Sequence, residues 1–156
     1  MNSNEFLAQR IEAFSIIISS FNDEISYDDV KDELMRIVLI ISSSDGTVSE
    51  SECDYINLIF GYTYTVFDLE AQVPSRDEIE SFWSTVPSIL LKLSKDIDTD
   101  VLNASSEAES LANMYYELVV DIMLACIYAD EVVDARENDL FERYCRLMKT
   151  YIKGKY

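Results

Sequence analysis

Apolar residues recur at three- and four-residue steps along most of this chain, and that spacing confines it to helices. Between Asn4 and Phe21, the residues Phe6, Leu7, Ile11, Phe14, Ile17, Ile18 and Phe21 fall on one helical stripe. A second stripe, from Tyr27 to Ser42, carries Val30, Leu34, Ile37, Val38 and Ile41, with Ser26 placed as its N-cap and Asp29 three positions on. Only three Gly and two Pro stand among the 156 residues, too few for the frequent tight turns of an all-β protein. The pattern predicts an all-α, single-domain bundle over residues 1–156, of about six to eight helices. A chain of this length buries roughly two thirds of the surface its unfolded form exposes, so one core suffices.

Further along, Ser49 and Glu52 have the spacing of a capping box and open a third helix expected to run to about Asp68. The stretch Leu69 to Pro74 interrupts the pattern, and Ser75 with Glu78 starts a helix containing Ile79, Phe82, Trp83 and Val86. Pro87 should kink or divide it. Lys95 to Asp100 reads as a polar connection with at most one helical turn, before a long apolar helix from about Ser106 to Tyr128. A last helix is expected from near Asp134, carrying Leu140, Phe141, Tyr144, Leu147, Met148 and Tyr151. Its basic tail, Lys149, Lys153 and Lys155, complements the C-terminal dipole.

A net charge of -18 argues against nucleic acid and anionic membranes as partners. It suits a cationic protein partner or a hard cation, and equally a soluble protein with solvated acidic faces. Cys53, Cys126 and Cys145 form no CxxC pair, and with no histidine in the chain a Ser-His-Asp or Cys-His catalytic arrangement is impossible. The start, Met1-Asn2-Ser3-Asn4-Glu5, does not read as a signal peptide. The most apolar run, Leu118 to Ala129, is about twelve residues against the roughly 20 that span a bilayer. A cytoplasmic location with reduced cysteines and no membrane span is therefore expected.

Two segments of the chain resemble each other. Shifting by 85 residues superposes Ile37 on Ile122, Leu39 on Leu124, Asp45 on Asp130, Val48 on Val133, Glu52 on Glu137 and Asp54 on Asp139. Both copies lie between expected helices, as a diverged internal repeat would. Turn and cap chemistry explains much of each: Glu52 and Glu137 are spaced from Ser49 and Asp134 to complete capping boxes. Asp54 and Asp139 read as solvated helix residues. The alternative is a metal or partner site. Asp45-Gly46-Thr47-Val48 followed by Glu52 follows the order of the latter half of an EF-hand loop, but Ile41 would occupy the first ligand position, so a standalone EF-hand does not fit. Two incomplete loops facing each other could instead offer Asp45, Glu52, Asp130, Asp134 and Glu137 to one or two hard cations, calcium or magnesium. A cation would relieve the repulsion among these carboxylates.

The run Ser44-Asp45-Gly46-Thr47-Val48-Ser49-Glu50-Ser51-Glu52 resembles the acidic signature of the TerB-like family, associated with tellurite resistance and stress response. Ala129-Asp130-Glu131-Val132-Val133-Asp134-Ala135-Arg136-Glu137 resembles its second copy, with Glu131 in place of the expected glycine. The resemblance implies an all-helical fold with pseudo-twofold halves and a cation site at Asp45, Glu52, Asp130 and Glu137, with Asp134 a weaker addition. It implies a non-catalytic metal-binding or sensing module in a stress or defence pathway. A different reading, from charge alone, is an acidic immunity or inhibitor protein covering the basic site of a toxin or effector. Paired carboxylates can do acid–base work, but no nucleophile or phosphate loop accompanies them, so no enzyme and no organic cofactor are expected.

Two smaller expectations remain. Asp121, within an apolar stretch, aligns opposite Arg36 in the repeat and could bridge to it across the halves, or could lie on the wet edge of an amphipathic helix. The aromatics Tyr62, Tyr64, Phe67, Tyr115, Tyr116 and Trp83 suit core packing better than an exposed recognition surface.

Overall fold

The structure, a computed structural model, describes residues 3–42, 48–97, 102–129 and 135–153. In chain order the helices are α1 (Ser3–Phe21), α2 (Tyr27–Ser42), α3 (Glu50–Phe60), α4 (Val66–Glu70), α5 (Arg76–Ser84), α6 (Ser88–Ile97), α7 (Leu102–Ala129) and α8 (Ala135–Lys153). No strand occurs among the described residues. The all-α single-domain bundle expected from the periodicity is what forms.

The starts of these helices follow their caps. Ser26 Oγ accepts the Asp29 N–H at 3.2 Å while Asp29 accepts the Ser26 N–H at 2.9 Å. These bonds hold the Asp29 carboxyl below its ordinary pKa. Pro87 divides rather than kinks: α5 ends at Ser84 and a new helix begins at Ser88.

The third helix is shorter than its periodicity predicts. It stops at Phe60 because Gly61 adopts a left-handed φ of 72° and returns its N–H to the Asn57 carbonyl. The Asn57 side chain then clamps Tyr64 from both sides, accepting its N–H at 2.9 Å and donating to its carbonyl at 2.8 Å. Thr65 restarts the chain as α4 through a capping box with Asp68, a pair that the apolar pattern conceals. The polar stretch after Lys95 stays helical to Ile97, and α7 begins at Leu102, earlier than expected.

At 28 residues, α7 is about 42 Å long and packs against α1, α2, α3, α6 and α8. Its buried side chains include Leu111, Tyr115, Val119, Ile122, Met123 and Cys126. Each such burial contributes roughly 1.5–3 kcal/mol for a Leu- or Ile-sized group. The twelve-residue estimate of its apolar length falls short, because the spacing of Ala108, Leu111 and Ala112 extends the buried face toward the N-terminus. The 22 residues Glu107–Tyr128 are long and apolar enough to cross a membrane by length and composition, and 50% of that window is buried inside the protein.

α1 runs antiparallel to α7: Arg10 pairs with Asp121 at 2.6 Å, and Phe14 stacks on Tyr115 at 5.1 Å. By contrast α2 and α7 run parallel, since Tyr115 bonds Glu33 at 2.6 Å and Ser42 Oγ lies 3.2 Å from Cys126 Sγ. The 85-residue shift recurs in the burial pattern. Val30, Leu34, Ile37, Val38, Ile41 and Ser42 are buried, and so are their counterparts Tyr115, Val119, Ile122, Met123, Cys126 and Ile127. Glu50 and Ala135, the first residues of α3 and α8, stand at the same spacing.

Arg36 does not bridge to Asp121. It pairs with Glu78 of α5 at 3.1 Å, and Asp121 takes Arg10. The reason is geometric: neighbouring helical residues point about 100° apart, so with Ile37 and Ile122 buried, Arg36 turns outward to α5 and Asp121 sideways to α1. The aromatics divide. Tyr115 is fully buried and Phe82, Trp83 and Tyr144 pack together, whereas Phe67 is exposed.

Candidate functional site

The acidic segments follow the C-terminal ends of two helices that lie side by side. Ser42, the last residue of α2, touches Cys126 in the last turn of α7, so the chain leaves both helices at one end of the bundle. Asp45, Asp130 and Asp134 lie outside the described residues; Glu137 is in the first turn of α8, its side chain likewise outside them. Among the five carboxylates only Glu52 is fully described. It is 3% exposed. Glu52 accepts the Ser49 N–H at 3.0 Å, while Ser49 Oγ accepts the Glu52 N–H at 3.1 Å. The capping reading of this copy is therefore realised. Among the described residues no group of three or more Cys, Asp or Glu side chains is placed to hold a metal ion. Asp54 and Asp139 are exposed, as solvated helix residues are.

The structure also shows a polar centre that sequence reasoning missed. Glu33 of α2 accepts the Ser88 N–H at 2.9 Å, the Ser88 hydroxyl, the Ile89 N–H at 3.2 Å and the Tyr115 hydroxyl at 2.6 Å. One carboxylate thus caps α6, which follows Pro87 and has no Ser, Thr, Asp or Asn immediately before it, and ties α2 to α7. In the sequence Glu33 looks like one of the solvated acids Asp28, Asp29, Asp32 and Glu33. A signal was present, because Glu33 stands three residues after Val30 and four before Ile37, on the edge of the buried stripe.

Beside Glu33 a cleft of about 220 Å³ opens between α2, α5 and the Thr85–Ser88 turn, with Phe82 and Val86 as apolar lining. The Arg36–Glu78 pair separates it from a wider hollow of about 380 Å³ that reaches Gln72 and Pro74. Phe82 stacks at 4.6 Å on Tyr144, whose buried hydroxyl has no hydrogen-bond partner among the described residues. Burial pushes the Tyr144 and Tyr115 hydroxyls well above the ordinary tyrosine pKa, and the Glu33 charge adds to both shifts. Burial likewise raises Tyr55, whose hydroxyl donates to the Ile122 carbonyl at 2.8 Å.

The centre is built to hold helices. The bonds to Glu33 occupy both oxygens, two donors on each, which leaves it poorly suited to take a substrate proton. Two of the three thiols are equally quiet: burial raises Cys53, and pushes Cys145 up to about 11, so both are protonated at neutral pH. Compared with known proteins, the chain matches no family model, no curated protein and no solved structure.

Replacing Glu33 with Ala should lower unfolding free energy by about 2–4 kcal/mol, because it strips the cap from α6 and strands the Tyr115 hydroxyl. In that background Tyr115→Phe should cost less than it does in the native chain. A urea double-mutant cycle reads both. Stability should also fall at alkaline pH. Tyr55, Tyr115 and Tyr144 have folded-state pKa values above the unfolded value of about 10, so the unfolded chain loses these protons first. Their contribution is intact below about pH 10 and declines as pH rises beyond it, which melting curves alongside tyrosinate absorbance will follow.

Proposed function

We propose that the chain is a non-catalytic, TerB-like module that binds calcium or magnesium through carboxylates of its two acidic segments, as a sensor in a stress or defence response. The observation that carries this reading is the parallel packing of α2 and α7, with Ser42 against Cys126, so that both segments depart from the same end of the bundle. The matched spacing of α3 and α8, together with buried positions repeating 85 residues apart, supports a common origin for the two copies. Carboxylates supplied from two neighbouring segments suit a hard cation that takes six or more oxygens, more than either segment offers alone. The Ser49–Glu52 capping box has a place in this scheme: it fixes the start of α3 and with it the orientation of the first segment's Glu.

Titration calorimetry should show binding heat with calcium or magnesium, and melting temperature should rise with the ion. An ion at 100 times its dissociation constant would add about 2.7 kcal/mol. The double variant Asp45→Ala, Asp130→Ala should lose both effects. No heat at millimolar ion, with melting unchanged in the variant, would sink the reading.

A second reading, an acidic immunity or inhibitor protein, draws on charge. Thirty acidic residues face twelve basic ones, so the acidic surplus cannot be paired within the chain. Such a surface would steer a cationic toxin or effector into a fast, salt-sensitive complex. Purification from its own cells at low salt should bring down a basic protein that is released as salt rises; recovery of none would count against it.

A further inference from the structure

On the flank where Arg10 meets Asp121, the bundle leaves a groove of about 200 Å³ between α1 and α7. Arg10, Ala13, Phe14, Met114, Glu117 and Leu118 line it. On α1 the residues Phe6, Arg10, Ala13 and Ile17 stand at helical steps of four, three and four, so they share one face. On α7 the corresponding face carries Glu107, Met114, Glu117, Asp121 and Tyr128. The apolar members of both faces are left open to solvent: Phe6 is 55% exposed, Ile17 43%, Met114 39% and Tyr128 64%. Because the helices are antiparallel, Ile17 stands on these faces toward the Met114 end of the groove, and Phe6 and Tyr128 stand beyond the Arg10–Asp121 pair at the other end. From Met114 to Tyr128 the distance along α7 is about 21 Å, the length of about four turns of a partner helix.

The charges around the groove select its occupant. α1 and α7 together contain a single cation, Arg10, and its charge is met by Asp121 at 2.6 Å. Glu107 and Glu117 are exposed and enter no ion pair among the described residues, and the turn after α1 adds the exposed Asp23 and Glu24. A second copy docking through this same face would bring the same acidic banks against these ones. An anionic lipid surface would be repelled in the same way. We propose that the α1–α7 groove is the docking site for an amphipathic helix with basic flanks, carried by a protein partner. The apolar stripe of that helix, at i, i+4, i+7 and i+11, lies over Ala13, Leu118 and Met114, and its Lys or Arg residues meet Glu107 and Glu117. The inference rests on the acidic-inhibitor reading only for the sign of the partner's charge, and it is independent of any metal.

The probe is a synthetic helix of about four turns with Leu at those four positions and Lys elsewhere, beside a scrambled isomer of the same composition and charge, each titrated by fluorescence anisotropy at low salt. The amphipathic peptide should bind the native chain at least about tenfold more tightly than its isomer. Ala13→Glu and Met114→Glu should each weaken binding by about tenfold or more with melting temperature unchanged, whereas Asp54→Ala, far along the sequence on α3, should leave it as it is. Equal binding of the two peptides would overturn the groove while leaving the acidic-inhibitor reading standing. Unaltered affinity in both groove variants would overturn it as well. Failure of both peptides to bind at low salt would sink the groove and weaken the charge-based reading together. Sedimentation of the native chain as a dimer that Met114→Glu dissociates would assign the face to self-association instead.

Discussion

A carboxylate that accepts four hydrogen bonds can position three helices at once, and Glu33 does so for α2, α6 and α7. α6 needs it because Pro87 and the Thr85–Val86 pair before it supply no local N-cap at Ser88, so its free N–H groups would otherwise face a half-buried turn. α7 needs it because the Tyr115 hydroxyl is buried among Phe14 and the surrounding core, where an unpaired hydroxyl costs about 1–3 kcal/mol. Fixing Tyr115 against α2 sets the parallel alignment of α2 and α7. That alignment in turn decides that Ser42 meets Cys126, and so from which end of the bundle the acidic segments leave. A packing device near the middle of the fold thereby governs the part of the molecule where cation binding is proposed.

Local rules were legible where a residue's task is set by its near neighbours. Ser26 with Asp29, Ser49 with Glu52 and Ser75 with Glu78 each act where the sequence places them, because a cap needs only a side-chain oxygen and an N–H three positions away. The end of the third helix was less legible: Tyr62 to Phe67 continues the apolar pattern, yet Gly61 and the Asn57 clamp on Tyr64 override it. Glu33 and Asp121 show the other limit. Their partners are 55 and more than 80 residues away, fixed by how α5, α6 and α1 settle on the bundle, and no helical wheel of one segment contains that information. The acidic segments stand between these cases. The capping role of Glu52 follows from local spacing, whereas ligation by five carboxylates requires two segments 85 residues apart to meet.

α7 brings the remaining features together. A helix packed against α1, α2, α3, α6 and α8 must be apolar over its buried face, where a lysine or arginine would have no route to solvent. Its 28 residues accordingly contain none, and the acids it keeps, Glu107, Glu109, Glu117 and Asp121, are exposed or lie on its wet edge beside α1. The same composition that makes α7 a core helix leaves its uncovered flank both apolar and negative. Scattered exposed apolar residues are ordinary on a soluble surface, and Phe67 on its own asks for no explanation. Met114 lines a groove between two antiparallel helices, and exposed Ile17, Phe6 and Tyr128 stand on the same two helix faces, so these residues are not scattered singly. Covering it with another acidic surface would bury charge against like charge, whereas a basic amphipathic helix satisfies its apolar floor and its banks together. The central helix therefore constrains what can dock beside it as firmly as it constrains the core.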